Sequence, residues 1–148
     1  MEHLAAPEPT VDRQVFAFWS IRIPASFEET FVHGDDCWHA WDPYRSVSLT
    51  SILVTDGDRL VSSRELLRTF PRLPGDPVET PPGLQGWAVV APAGPAARAS
   101  RVISGALATE GRLLIATLTG DDLGWATSTW LSIRLKAAFS RARGGRRD

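Results

Sequence analysis

Two apolar runs separated by a short turn, in residues 99–120 (ASRVISGALATEGRLLIATLTG), constrain the fold more than any other feature of this chain. Glu110 and Gly111 between two alternating runs predict a β-hairpin with a two-residue turn, in which Thr109 lies opposite Arg112. In this register one face carries Ile103, Gly105, Leu107, Leu114, Ala116 and Leu118, and the other carries Val102, Ala106, Leu113 and Ile115. A sheet that is apolar on both faces is usually covered on both, so other elements are expected to pack on each side.

Residues 121–143 are predicted to form one such cover, a long amphipathic helix at the C-terminal end of the domain. Asp121 or Asp122 can cap its N-terminus, and the arginines near its end suit the negative end of the helix dipole. Apolar residues recur in it at helical spacing, at Leu123, Ala126, Trp130, Ile133 and Ala137.

The remaining segments predict further strands and one short helix. Along the chain they are a first strand in residues 14–24, an edge strand or short helical turn in 26–33, a helix in 62–70, an irregular loop in 71–86 and a strand in 87–92. Pro24 ends the first strand because it has no N–H to donate to a ladder. Ser62 is placed to cap the helix, with Glu65 in the position of a capping box.

Together these elements predict an α+β fold, a mainly antiparallel sheet flanked by a short middle helix and a long C-terminal amphipathic helix. At 148 residues the chain is long enough for one packed core. The predicted organisation is a flexible leader in residues 1–12, a single α+β domain in 13–143 and a basic tail in 144–148.

A second hairpin is predicted around residues 34–45 (GDDCWHAWDPYR), where Asp42 and Pro43 have the order typical of a type I turn. Pairing Trp41 with Ser46 divides the side chains of its two strands between two faces. One face carries Trp38, Ala40, Val47, Leu49, Ser51 and Leu53, and the other carries Cys37, His39, Trp41, Ser46, Ser48 and Thr50.

Two tryptophans lie off the predicted apolar faces. Trp41 shares a strand face with Cys37 and His39, and Trp125 lies nearly opposite the apolar stripe of its helix. Exposed tryptophans favour contact with a ligand or protein, because they offer a large rigid area and one donor. The candidate binding residues are therefore Trp41, His39, Cys37 and Trp125; the alternative is that a loop or a helix covers each tryptophan.

The same segment is poorly suited to metal binding or catalysis. A structural zinc site needs about four cysteine or histidine ligands at close spacing, and the whole chain has one cysteine and three histidines, so such a site is nearly excluded. A weaker site of His33, Asp35, Asp36 and His39 also fits an ordinary polar turn. Cys37 and His39 are expected about 6 to 7 Å apart along a strand, too far for a direct hydrogen bond. The chain contains no G-x-S-x-G, phosphate-binding glycine loop or H-E-x-x-H motif. We therefore predict no catalytic residue, metal or cofactor.

Charge and hydropathy limit the partners of the chain. The formal net charge is −1, and basic residues cluster from Arg134 onward, as is typical of a solvated extension after a helix, so nucleic acid is not a favoured partner. The apolar runs are far shorter than the roughly 20 residues that span a bilayer, so no membrane association is predicted. The absence of a signal-peptide pattern and the single cysteine favour the cytoplasm.

Two segments resemble the PsbP-like fold family, which includes photosystem extrinsic proteins, a Ran-binding import factor and many small bacterial proteins of unknown role. Residues 18–29 (FWSIRIPASFEE) resemble its entry strand, and residues 111–133 (GRLLIATLTGDDLGWATSTWLSI) resemble its last strand and C-terminal helix. The resemblance implies a fold rather than an activity. Neither photosystem binding nor Ran binding is carried over, because no residues here match those functions.

The function predicted from these features is a non-catalytic binding module. It is expected to contact a protein partner or a second copy of itself through the Trp41 face and the loop of residues 71–86. The alternative is an enzyme or small-molecule-binding protein with a pocket between the sheet and the C-terminal helix, and with Asp36, Cys37 and His39 at its mouth.

Overall fold

The structure is a computed structural model, and it describes residues 7–32, 36–91 and 101–136. Twelve strands and two helices lie in the described part. In chain order they are β1 Thr10–Val15, β2 Trp19–Pro24, β3 Glu28–Val32, β4 Cys37–Trp41, β5 Ser46–Leu53, β6 Thr55–Asp56, β7 Arg59–Leu60, α1 Ser63–Thr69, β8 Asp76–Val78, β9 Gln85–Val90, β10 Arg101–Thr109, β11 Arg112–Gly120, α2 Leu123–Leu131 and β12 Arg134–Leu135.

Seven strands form the main sheet in the order β3-β4-β5-β11-β10-β9-β8, and every neighbouring pair is antiparallel. A second sheet, β1-β2-β12, packs with α2 against one face of the main sheet, which we call the inner face. The predicted α+β class with a mainly antiparallel sheet is therefore confirmed. Neither helix in the described part of the chain is long and apolar enough to cross a membrane.

The core lies between the two sheets and α2. Its largest fully buried side chains come from all three layers: Trp19, Ile21 and Ile23 of β2, Trp38 and Leu49 of the main sheet, and Trp130 of α2. A second, smaller cluster lies on the opposite, outer face of the main sheet, where Leu66 of α1 covers Ala106, Ala108 and Leu113. Both faces of the β10–β11 hairpin are thus covered, as its apolar pattern predicted.

Both hairpin registers are confirmed. Thr109 pairs with Arg112 across the Glu110-Gly111 turn, where Gly111 has a φ of 75°. Trp41 pairs with Ser46 in the β4–β5 hairpin, as predicted. The middle helix also begins as predicted, because the Ser62 side chain accepts a hydrogen bond from the Glu65 amide at 3.2 Å. The segment after Pro24 forms an edge strand, β3, rather than a turn of helix.

The predicted C-terminal helix is confirmed over Leu123–Leu131, capped by Asp122, but it is short: α2 ends at Leu131 and the chain then pairs with β2 as β12. Hydrogen bonds of Ser132 and Arg134 explain why the helix ends at Leu131. Ser132 donates to the Thr129 carbonyl and accepts from the Arg22 amide, and the Arg134 guanidinium donates to the Leu131 and Ile133 carbonyls. The predicted helix beyond residue 136 lies outside the described residues.

The first predicted strand is two strands. Residues 16–18 form a turn, and Val15 pairs with Trp19, so the chain reverses where the alternating pattern continues without a break. Phe16 adopts a φ of 60° there, a conformation that a non-glycine residue seldom takes. β1 begins at Thr10, so its first three residues lie within the predicted leader of residues 1–12. Within residues 71–86, the predicted loop contains β8, which is an edge strand and can therefore accommodate Pro77.

Candidate functional site

The β4–β5 turn fixes the strand that carries most of the predicted site. Asp42 Oδ1 accepts hydrogen bonds from the Tyr44 and Arg45 amides, both at 2.8 Å, and the Asp42 amide donates to the Arg45 carbonyl at 3.0 Å. This is the local chemistry by which aspartate followed by proline favours a turn. The turn sets the register, and the register determines which side chains reach the outer face.

Cys37, His39 and Trp41 lie together on the outer face, each half-buried. The His39 and Trp41 rings have centroids 5.2 Å apart and meet edge to face, at 79°. Thr50 Oγ1 lies 3.6 Å from Cys37 Sγ and donates to it. The opposite side chains of the same strand, Trp38 and Ala40, are buried in the core, so the predicted division of faces is confirmed.

Hydroxyl groups surround this aromatic pair. Ser48 is the strand partner of His39, and Ser46 that of Trp41; on β11, Thr117 and Thr119 continue the same two rows. All four are half-buried, and within residues 7–32, 36–91 and 101–136 no side chain makes a hydrogen bond with their hydroxyls. These groups are therefore available to water or to a bound molecule.

Among the described residues, the outer face shows neither a hydrogen bond between Cys37 and His39 nor a cluster of metal ligands. In the described part of the chain, the Cys37 thiol has Thr50 rather than His39 as its hydrogen-bond partner. No group of three or more histidine, cysteine or carboxylate side chains that could hold a metal ion occurs among the described residues. Two of the four residues considered above as possible metal ligands, His33 and Asp35, lie outside the described residues.

Trp125 does not belong to this surface. It lies on α2, on the inner side of the main sheet, 5.9 Å from the Phe27 ring and beneath the guanidinium of Arg45, whose Cζ is 5.2 Å from the Trp125 ring centroid. The structure therefore brings three of the four candidate binding residues together and separates Trp125 from them.

Arg45 is a central residue that the sequence analysis missed. Its guanidinium donates to Asp42 Oδ2 at 2.7 Å and to Glu8 through two bonds of 2.9 and 2.7 Å, and its Cζ also lies 5.3 Å from the centroid of Phe27. The spacing of Asp42 and Arg45 within one turn could have suggested their pair. Glu8 is far away in sequence, and nothing local links it to Arg45.

The ion pairs of Arg45 shift the pKa values of Glu8 and Asp42. The hydrogen bond from Arg45 lowers the pKa of Glu8. Burial acts to raise the pKa of Asp42, but the hydrogen bonds from the Arg45 guanidinium and from the Tyr44 and Arg45 amides outweigh burial, so the pKa of Asp42 is lowered. The side-chain hydrogen bonds to Glu8 and Asp42 raise the pKa of Arg45 despite its burial, so all three groups are charged at neutral pH.

The space between the main sheet and α2 is filled rather than open. Ring carbons of Trp130 lie 2.6 and 2.8 Å from the position that a Cβ on Gly105 would occupy, and Trp130 Nε1 donates to the Glu79 carbonyl at 2.7 Å. A groove of about 750 Å³ lies instead on the other side of α2, along β2. Its lining includes Trp125 but not Asp36, Cys37 or His39, which were predicted for the mouth of a pocket.

Comparison with known proteins informs the fold alone. No protein-family model and no curated protein matches the chain. The chain is similar to a protein of Bacteroides thetaiotaomicron VPI-5482 with a crystal structure at 1.50 Å resolution, with a TM-score of 0.55 and 10% identity. The match covers 80% of this chain and 45% of that chain, so it spans less than half the length of that protein. The resemblance to the PsbP-like family stays a prediction.

Proposed function

We propose that this protein is a non-catalytic binding module that contacts a protein partner, or a second copy of itself, through the outer face around Trp41. One observation carries the proposal: the half-buried Trp41 and His39 rings meet on the outer face of the sheet, among hydroxyls that have no side-chain partner in the described residues. Tryptophan at the centre of a contact surface contributes a large share of binding energy, and neighbouring hydroxyls supply adaptable hydrogen bonds.

We include the loop of residues 71–86 in the proposed contact surface, although it lies far from Trp41. β8, which lies in that loop, and β4 are separated by four strands of the main sheet, so about 24 Å separates them at the usual strand spacing. An interface of ordinary size, roughly 800 Å² on each partner, can extend that far. We propose a cytoplasmic location on the basis of the single cysteine.

Trp41→Ala tests the site. The variant is expected to reduce recovery of the partner in a pull-down about tenfold or more, since loss of a central tryptophan commonly costs at least ~2 kcal/mol. If the partner is a second copy, light scattering after size exclusion will show a smaller mass for the variant. Tyr44→Ala is the matched control, because Tyr44 is the most exposed large aromatic residue of the same hairpin but lies in its turn.

A folded Trp41→Ala protein with unchanged partner recovery and unchanged mass would contradict the site. Circular dichroism and the urea midpoint establish folding independently of binding. The small-molecule alternative has its own measurement, a thermal-shift screen: a ligand that raises the midpoint of wild type and of Trp41→Ala equally binds elsewhere.

A further inference from the structure

The groove between α2 and β2 consists of two neighbouring hollows. A second hollow of about 410 Å³ shares Arg22, Ser132 and Arg134 with the first, so the two are adjacent. Together they follow the seam between α2 and the outward side of the β1-β2-β12 sheet. We call this surface the α2 groove; its larger hollow, beside α2, is open to solvent rather than enclosed.

The two ends of the α2 groove differ in chemistry. Beside α2 the lining is largely apolar, with Pro24, Leu123, Trp125 and Leu131, and Leu123 is among the exposed large apolar residues of the protein. Beside β12 the lining is basic, with Arg13, Arg22, Arg134 and Lys136. The carboxylates in the lining are Glu8, held by Arg45, and Asp12, held by Arg22.

Two of the basic groups carry charge that the structure leaves unneutralised. In the described part of the chain, neither Arg134 nor Lys136 has a carboxylate within ion-pair distance. Arg134 is nevertheless held in place, because its guanidinium donates to two backbone carbonyls at 2.6 and 2.9 Å. The whole chain has a formal net charge of −1, so this local excess of positive charge does not follow from overall composition.

We propose that the α2 groove binds an acidic peptide segment of a partner protein, with an apolar side chain of the segment beside Leu123 and Trp125 and its carboxylates beside Arg22, Arg134 and Lys136. Charge complementarity argues for the acidic character. The open shape argues for a peptide, because pockets for small molecules enclose most of the ligand surface. This site is separate from the outer face and does not depend on the function proposed for it.

A fluorescein-labelled peptide with glutamates on both sides of a single leucine is a suitable probe, with glutamines in place of glutamates as the peptide control. We expect saturable binding of the full-length protein to the acidic peptide that weakens as salt is added, and much weaker binding of the glutamine peptide. Amide chemical shifts should change along β2, α2 and β12. The absence of any such shift at about 1 mM peptide would overturn the proposal.

Removing basic residues from the α2 groove and removing a carboxylate from it should change the affinity for the peptide in opposite directions. Arg22→Gln combined with Lys136→Gln should weaken peptide binding about fivefold or more, because two partly exposed charges are removed. Asp12→Asn should instead tighten binding about two- to threefold, since it removes an exposed carboxylate and releases Arg22 from its pair. Arg64→Gln, an exposed arginine on α1, is the matched control and should have no effect.

Two outcomes would contradict the α2 groove as the binding site. Shift changes confined to the residues after 136 would assign the peptide to the basic end of the chain. Equal loss of binding in Arg64→Gln and in the double variant would show general attraction to positive charge.

Discussion

Arg45 connects three parts of the protein that are distant in sequence. It neutralises Asp42 in the β4–β5 turn, binds Glu8 before β1, and lies over the rings of Phe27 and Trp125. Its side chain is 18% exposed and that of Asp42 is 13% exposed, so water screens this pair less than it screens the surface pairs of the molecule. The Glu8 side chain is 42% exposed, and its pair with Arg45 contributes less.

Replacing Arg45 with methionine, which keeps most of the apolar stem, is expected to lower the free energy of unfolding by about 2 kcal/mol at pH 7, because Asp42 loses its cation while partly buried. Arg59→Met is the matched control. Arg59 is 57% exposed and pairs with exposed Asp56, so its loss should cost no more than about 0.5 kcal/mol. Urea unfolding of both variants measures the two values.

The effect of Arg45→Met should depend on pH. The pKa values of Glu8 and Asp42 are lowered in the folded protein, so their contribution is present above their unfolded values, near pH 4, and is lost as pH falls through the folded values. The difference between wild type and variant should therefore shrink below about pH 4. A difference that stays constant at acid pH would show that packing on Phe27 and Trp125 carries the effect.

At the scale of elements, local chemistry explains what could be predicted. The two hairpin registers followed from Asp42-Pro43 and Glu110-Gly111, because turn residues and alternation act over a few neighbouring positions. The end of α2 could not be predicted in this way, since β12 pairs with β2 and Ser132 bonds the Arg22 amide, both distant in sequence. The turn at Phe16 contains neither glycine nor proline, so nothing local marked it.

In the candidate site, too, only the features set by neighbouring residues could be predicted. Strand alternation placed Cys37, His39 and Trp41 on one face, and the structure confirms that placement. The position of Trp125 could not be predicted. Its place opposite the apolar stripe of its helix does not indicate which side of the sheet that helix covers. The α2 groove was not predicted at all, because Arg22 and Arg134 meet only through the pairing of β12 with β2.

Gly105 sets how closely α2 approaches the main sheet. A Cβ there would lie 2.6 Å from a ring carbon of fully buried Trp130 and 2.9 Å from the Trp87 carbonyl oxygen. Gly105→Ala is therefore expected to destabilise the protein by about 1 to 3 kcal/mol, although alanine in a strand interior would otherwise stabilise it. Urea denaturation provides the measurement.

Gly120→Ala is the control for this effect. Gly120 lies in β11, and an added Cβ would make ordinary contacts, at 3.4 Å to Arg45 and 3.6 Å to Trp125. Its unfolding midpoint should be close to that of wild type. Equal losses in the two alanine variants would show that the clash with Trp130 is not the cause of the loss in Gly105→Ala.

At the scale of the whole molecule, the main sheet separates two different surfaces. Its outer face is covered by α1 over β10 and β11 and carries polar groups around Trp41, whereas its inner face is covered by the second sheet and α2. The α2 groove lies beyond that second layer. Trp41 lines neither hollow of the groove. Arg45 connects the two regions, because it binds Asp42 beside Trp41 and contacts Glu8 and Trp125 in the groove lining, but none of these contacts involves the Trp41 side chain.

This arrangement predicts that the two surfaces bind independently. Sites that share no partner usually have additive effects within about 0.5 kcal/mol, or roughly a factor of two in affinity. Trp41→Ala should therefore leave the affinity for the acidic peptide within twofold of wild type, and Arg22→Gln with Lys136→Gln should leave recovery of the outer-face partner unchanged. Fluorescence anisotropy and quantitative pull-down measure the two effects. A large change in peptide affinity in folded Trp41→Ala protein would contradict this independence and show that one surface acts on the other.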